Sequence, residues 1–192
     1  MIKLKSLLTE AGELTQESVK IYWNFALSAL IGRNPDHFYR SHHQEIDAMA
    51  AALAKKYGPT SGDTVYRGII LDPSEVQNGK VHHDPQITYV SFSEDKKIAI
   101  AFGDIENPMA EFMMQRFPTK KGYLITADYR PDQVLFHYKW ITAANLWPAV
   151  ENLLGEQSEY IKIQKEVITK PKPYYRVEPV LPGASGGIVV GK

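Results

Sequence analysis

The chain is expected to be an α+β protein, and three observations predict that class. Apolar residues recur at helical spacing through the first third. Near residue 64 the pattern changes to β-branched, strand-like runs. No Gly-rich strand-to-helix turn of the dinucleotide-binding or P-loop type occurs. Helices first and strands afterwards disfavour an alternating parallel sheet. A length of 192 residues suits one domain. Its parts are an N-terminal helical region (1–62), a β-rich core (63–181) and a loose tail (182–192).

Val19, Tyr22, Trp23, Ala26, Leu27 and Leu30 make one apolar stripe, with Thr15 as cap and Glu17 in the first turn. Gly32 and Asn34-Pro35 close this helix. A second runs from Pro35 or His37 to Tyr57, with Ile46, Met49, Ala50, Leu53 and Ala54 on one face and Gly58 after it. Pro59 to Asp63 is turn chemistry. Strands are expected at Thr64–Leu71, Ile87–Phe92, Tyr123–Tyr129, Gln133–Tyr138, Tyr160–Thr169 and Tyr174–Val180. Between them, Asp72 to Asp84 is loop. Ser93 caps a helix that ends at Gly103, and Pro148–Leu154 is a short helix with proline in its first turn. Met109 to Phe117 is a short helix or an apolar flap.

Hydrophobic residues (44%) and charged residues (23%) are in ordinary proportion, so a core of normal size can form. Lysine and arginine (22) balance aspartate and glutamate (22), which argues against a general nucleic-acid coat protein and leaves room for a local basic patch. The absence of cysteine excludes disulfides, thiolate zinc sites and a cysteine nucleophile. The apolar run in Met1–Leu8 is too short for a signal peptide, and no stretch is long and apolar enough to span a bilayer. A soluble, cytoplasmic, monomeric protein with no membrane partner is expected. His42-His43 and His82-His83 are adjacent pairs, which rarely converge on one ion, so no metal is expected.

Three short segments carry chemistry-bearing residues: Val65-Tyr66-Arg67-Gly68, Tyr89-Val90-Ser91-Phe92-Ser93 and Gln164-Lys165-Glu166-Val167. A guanidinium inside an apolar strand is costly unless paired or facing a cleft, and its fork matches phosphate oxygens. Ser91 and Ser93 alternate with Phe92, so both hydroxyls point to one face. Gln164 and Glu166 would share a face of one strand, with Lys165 opposite. Taken singly, each has a plainer reading: a structural salt bridge, an uninformative serine, a solvent-facing edge strand. Gln157-Ser158-Glu159 is a competing Gln-x-Glu.

Taken together and in order, these segments resemble the Arg–Ser–Glu class of mono-ADP-ribosyltransferases, which includes cholera-toxin-like enzymes, clostridial Rho-modifying exoenzymes and phage enzymes. The matching residues are Tyr66-Arg67-Gly68, Ser91-Phe92-Ser93 with Ala101-Phe102 downstream, and Gln164-Lys165-Glu166-Val167-Ile168 followed by Tyr175-Arg176-Val177. The resemblance spans roughly residues 15 to 180 and implies a mixed, mainly antiparallel two-sheet core with the N-terminal helices packed on it. It implies that NAD binds as a substrate, without a metal. Arg67, with Tyr66, Gly68, Ser91 and Phe102, would bind NAD, Arg67 gripping its phosphates. Ser91 would hold the catalytic carboxylate. Glu166 would bond the ribose 2′-hydroxyl and stabilise positive charge as nicotinamide leaves. Gln164 would orient the acceptor, Tyr160 would touch the target, and Met109–Phe117 could be a mobile loop over NAD.

Phe92 stands where the family has threonine, and Gln164 where arginine-modifying members have glutamate, so arginine is disfavoured as acceptor. A host protein acceptor is implied, with a nucleic-acid base as the alternative. The Lys3–Glu10 opening resembles the starts of some T-even-like phage proteins, which leaves open a non-catalytic virion or binding protein with the same fold, and a host-cell cytoplasmic site of action for a phage protein or effector.

Overall fold

Thr15 opens the first helix as expected: its hydroxyl accepts the Ser18 N–H at 3.1 Å. The computed structural model describes residues 15–30, 35–57 and 64–188, without the side chains of residues 109, 111–113, 153 and 160. The expected stops at Gly32, Asn34 and Gly58, the turn Pro59–Asp63 and the Met1–Glu10 opening lie outside the described residues.

Helix α1 (Gln16–Leu30) buries Val19, Tyr22, Phe25, Ala26, Ala29 and Leu30, and the Tyr22 hydroxyl donates to the Leu135 carbonyl at 3.0 Å. Helix α2 (Asp36–Tyr57) buries Ile46, Met49, Ala50 and Leu53, and breaks from helical geometry at His42. The piece before that break clasps the loop ahead of the serine strand. Thr88 donates both its N–H and its hydroxyl to Asp36 at 2.6 Å, and Arg40 donates to the Gln86 carbonyl.

The strands are β1 (Thr64–Leu71), β2 (Val76–Gln77), β3 (Lys80–His82), β4 (Val90–Ser93), β5 (Lys121–Asp128), β6 (Val134–His137), β7 (Glu166–Thr169) and β8 (Tyr174–Pro179). The α+β class and the N-terminal helices packed against a sheet are as expected. The pairing is simpler than expected: the eight strands join in one sheet, ordered β2-β3-β8-β5-β1-β4-β7-β6, and every pair is antiparallel. One face carries Val65, Ile125 and Ala127 into the main core with α1 and α2. Helix α3 (Lys96–Gly103) packs on the other. The remaining helices are α4 (Glu111–Arg116), α5 (Tyr138–Ala143), α6 (Trp147–Leu154) and α7 (Gln157–Gln164).

Strands β2 and β3 form inside the expected Asp72 to Asp84 loop, and three further expectations change. Residues 157–164 form helix α7, not the start of a strand. Ile161 and Ile163 alternate as in a strand, but only Ile161 is buried; Ile163 is 48% exposed. Ser158 and Ile161, three apart, both face inward, and Lys162 bridges Glu159 and Glu151 at 2.8 and 2.6 Å. Helical spacing therefore wins over a two-residue period carried by so short a run.

Second, Asp95 rather than Ser93 caps α3, accepting the Lys97 N–H at 3.0 Å. Third, the tail is held as far as Ile188. Buried Asp104 accepts the N–H groups of Gly183 and Ser185 at 2.9 and 2.8 Å, and Asn107 donates to the Ile188 carbonyl at 2.7 Å. Burial pushes the Asp104 carboxyl up, but the donors on Ser185, Glu106 and Gly183 outweigh it and hold its pKa below the ordinary value. Asp104→Ala is expected to cost about 1–3 kcal/mol by orphaning buried donors, and to speed amide exchange at Gly183 and Ser185. Because the folded pKa is depressed, this clasp acts fully above about pH 4 and is lost as pH falls through the folded value.

Candidate active site

Strand β1 pairs with β5 along its whole length, from Thr64 to Leu71. On its other edge it meets β4 at a single position, Tyr66 opposite Ser93. Beyond that bridge the two strands part, and among the described residues the β4-side edge of β1 from Arg67 onward has no ladder partner. A groove of about 420 Å³ opens there, lined by Arg67, Gly68, Ile69, Ile70, Leu71, Phe102 and Ala110. That volume is within the range of small-molecule sites.

Arg67 spans the gap. Its Nη1 donates to the Ser91 carbonyl at 2.9 Å, a group that a continuous ladder would have bonded through backbone. The Ser91 hydroxyl donates in turn to Glu166 Oε1. Strand β7 pairs with β4, setting Glu166 opposite Ser93 and one diagonal from Ser91. Arg67, Ser91 and Glu166 thus come from three adjacent strands, β1, β4 and β7, and meet at the point where the sheet opens.

Glu166 is only 6% exposed, and among the described residues its Oε2 has no hydrogen-bond partner. Burial pushes its pKa up to about 7, against the opposing effects of the Ser91 hydroxyl and the Arg67 charge. Burial also lowers the Arg67 pKa, with Glu166 opposing, and Tyr175, Tyr89 and Tyr129 lie close enough to act on it electrostatically. Guanidinium titrates so far above neutrality that Arg67 stays charged. One of its donors is used on Ser91, and the fork has others to offer an anion.

The turn that delivers Glu166 is pinned from behind. Lys165 takes the left-handed conformation (φ 46°) that ends α7 and turns the chain into β7. Ser93 donates to the Gln164 carbonyl at 2.5 Å, Glu94 N–H to the Lys165 carbonyl at 3.2 Å, and Lys165 Nζ to Asp95 at 3.2 Å. Ser93 is therefore a positioning contact for the 164–166 turn. Replacing Lys165 by glycine, which accepts that backbone freely, is expected to change stability by less than about 1 kcal/mol, as read by chemical denaturation.

Gln164 does not share a strand face with Glu166. It is the last residue of α7, half-buried, and its side chain makes no hydrogen bond among the described residues. Tyr160 lies on the same helix, and its side chain is outside the described residues, as are those of Met109, Phe112 and Met113. The competing Gln157-Ser158-Glu159 is also on α7; Ser158 faces inward and Glu159 joins the Lys162 pair. Tyr66 and Phe102 are both half-buried, Phe102 lining the groove and Tyr66 lying 5.8 Å (ring centroid) from Lys96 Nζ. Gly68 lines the groove too, and it also lets α3 approach: a Cβ there would lie 1.9 Å from the Ala99 carbonyl oxygen.

Sequence reasoning missed Tyr89 and Asp95. Tyr89 is half-buried, and burial, Asp36 and Glu166 push its hydroxyl up to about 12. Its spacing of two from Ser91 was the available signal. Among the described residues no cluster of His, Cys, Asp or Glu could hold a metal ion, and no helix is long and apolar enough to cross a membrane. No protein-family model, curated protein or solved structure matches the chain.

Proposed function

We propose that the protein transfers ADP-ribose from NAD to a macromolecular acceptor, with release of nicotinamide. The observation that carries this reading is the run of contacts from Arg67 through Ser91 to Glu166, with Arg67 also lining the groove beside β1. The unpartnered Glu166 Oε2 suits a sugar hydroxyl, the spare Arg67 donors suit a phosphate, and the free edge of β1 offers backbone donors and acceptors. The two-sheet core of the ADP-ribosyltransferase type is part of this proposal, and what supports it is the reduction of the β1–β4 pairing to a single bridge.

The chemistry needs little beyond these groups. The bond from ribose C1′ to the nicotinamide nitrogen breaks, nicotinamide leaves with the bonding pair, and the sugar acquires oxocarbenium character. A buried carboxylate beside that charge lowers the barrier more than it could in water. The acceptor nucleophile then bonds to C1′ and releases its proton. Ser91 holds the carboxylate in place, and Arg67 braces the Ser91 backbone while facing the phosphates. Gln164, the last residue of α7, is the proposed contact with the acceptor.

Glu166 must be ionised for this role. Nicotinamide release is therefore expected to rise about tenfold per pH unit below neutrality and to level off above about 7. A flat profile from pH 5.5 to 8.5 would remove Glu166 from the mechanism. To identify the acceptor, the protein is incubated with cell lysate and NAD labelled in its adenylate. Label that protease removes supports a protein acceptor, and label that nuclease removes supports the nucleic-acid alternative. Neither label nor free nicotinamide would overturn the enzymatic reading in favour of a non-catalytic protein.

A further inference from the structure

The sheet face that carries α3 is covered by that helix around Gly68 and Gly122 and stays open beside it. Register pairs trace one row across this open part. Gln77 lies opposite Lys80, and Lys80 opposite Arg176. Val177 lies opposite Ile125, so Arg176 falls next to Thr126, which pairs with Tyr66. Tyr66 pairs with Ser93, and Ser93 with Glu166. Residues opposite one another in an antiparallel ladder share a face. Along the row Gln77, Arg176 and Thr126 are exposed and Lys80 and Tyr66 half-buried, while Ser93 and the candidate carboxylate at its end are buried.

Its far end is basic and aromatic. Lys80 and Arg176 stand directly opposite each other, a like-charge placement that costs stability in a ladder. Among the described residues neither forms an ion pair. In the neighbouring row Tyr174 lies opposite His82, is 47% exposed, and has Lys80 Nζ 4.6 Å from its ring centroid. The acids on this face are Asp128, Glu178 and, at the row's buried end, Glu166, with Asp95 beside Lys96; Asp128 accepts the Thr64 hydroxyl at 2.7 Å and Asp95 accepts from Lys165. The positive charge is concentrated at the far end, on Lys80 and Arg176.

We infer that this face is a docking track for single-stranded nucleic acid. Phosphates meet Lys80 and Arg176, a base stacks on the open Tyr174 ring, and the strand runs toward Tyr66 and Glu166. An exposed aromatic ring flanked by cations matches a base joined to phosphates, whereas an acidic peptide has nothing to place on the ring. Only the direction of the track rests on the proposed ADP-ribosyl transfer; the binding does not.

The test is fluorescence anisotropy of labelled oligo(dT) and oligo(U) of about 12 nucleotides, a length within the site size of one small domain, with the intact protein and no NAD. Binding is expected to weaken roughly five- to tenfold between about 50 and 200 mM salt, as two phosphate contacts require. The double variant Lys80→Glu, Arg176→Glu is expected to lose at least about tenfold. Tyr174→Ala should lose about fivefold or more while keeping the salt slope. Melting curves check that the variants fold, and Lys80→Gln with Arg176→Gln replaces the double reversal if it does not. No binding by the native protein, affinity unchanged in the variants, or equal displacement of the probe by polyglutamate would each overturn the proposal. Nicotinamide release, measured separately, reports on the NAD reading and is independent of these outcomes.

Discussion

Glu166→Gln is expected to make the protein more stable at pH 8 while slowing the proposed nicotinamide release. The folded chain raises this carboxyl to about 7 from an ordinary 4.5, by burial. Between those values the folded chain keeps the proton and the unfolded chain has lost it, so stability falls as pH rises. The favourable contribution of the protonated group is complete below about pH 4.5 and gone above about 7. Above neutrality, holding an ionised Glu166 in place costs about 3 kcal/mol relative to a neutral side chain. Glutamine resembles the neutral form in shape and can still accept from Ser91. The variant should therefore gain up to about 3 kcal/mol at pH 8 and almost nothing at pH 4. Denaturant titrations at both pH values measure this. A loss of stability at pH 8 would show that the carboxylate is favourably held, and would remove the tension between folding and function. Nicotinamide release should fall at least about 100-fold, the usual cost of one preorganised electrostatic contact.

The second large effect is at Gly68. A Cβ there would come within 1.9 Å of the Ala99 carbonyl oxygen, 2.3 Å of the Gly103 nitrogen and 2.9 Å of the Phe102 carbonyl carbon. All three are backbone atoms of one helix, so no side chain can swing aside. Either α3 moves away from β1 or the variant fails to fold. Gly68→Ala is expected to cost about 3 kcal/mol or more. If it folds, it should also weaken NAD binding, because Phe102 moves with α3 and lines the groove beside Arg67. Gly79→Ala is the control: it has open space around it and only its positive φ (69°) to accommodate, so about 1 kcal/mol is expected. Equal denaturation midpoints for the two variants would contradict the close approach of α3. Gly68 illustrates how one residue serves two ends, packing a helix and shaping a groove.

Much of the fold was legible in the residues. The run Thr64–Leu71 holds no proline and is dense in β-branched side chains, and β1 has those bounds. The helix stripes of α1 and α2 carry enough turns to average out single exceptions. Phe25 and Ala29 widened the α1 face without changing its nature. The neighbourhood of Arg67, Ser91 and Glu166 comes from β1, β4 and β7 lying side by side; alternation alone sets Arg67 on the face opposite Glu166, and it is the Arg67 bond to the Ser91 carbonyl at the gap that links them.

The rest depended on contacts distant in sequence. Ile161 and Ile163 look the same in a strand and in a helix until Ser158, Glu151 and Lys162 decide the matter. Gln164 was misplaced for that reason: two residues from Glu166, it lies across a left-handed turn. The order in the tail comes from Asp104, roughly eighty positions earlier. No local pattern announces that a lone aspartate will collect three backbone donors. Ser93 read as a helix cap because Ser-Glu-Asp opens helices. Its hydroxyl instead reaches the Gln164 carbonyl on another element.

The central claim is that Glu166, held by Ser91 beside Arg67, stabilises the sugar from which nicotinamide departs. Its most direct test is the rate of nicotinamide release from NAD by the native protein and by Glu166→Gln, side by side at pH 8 with lysate present. Release by the native protein, slowed at least about 100-fold in a variant that still binds NAD, is the expected result. Equal rates for the two, or no NAD binding and no release by the native protein, would contradict it.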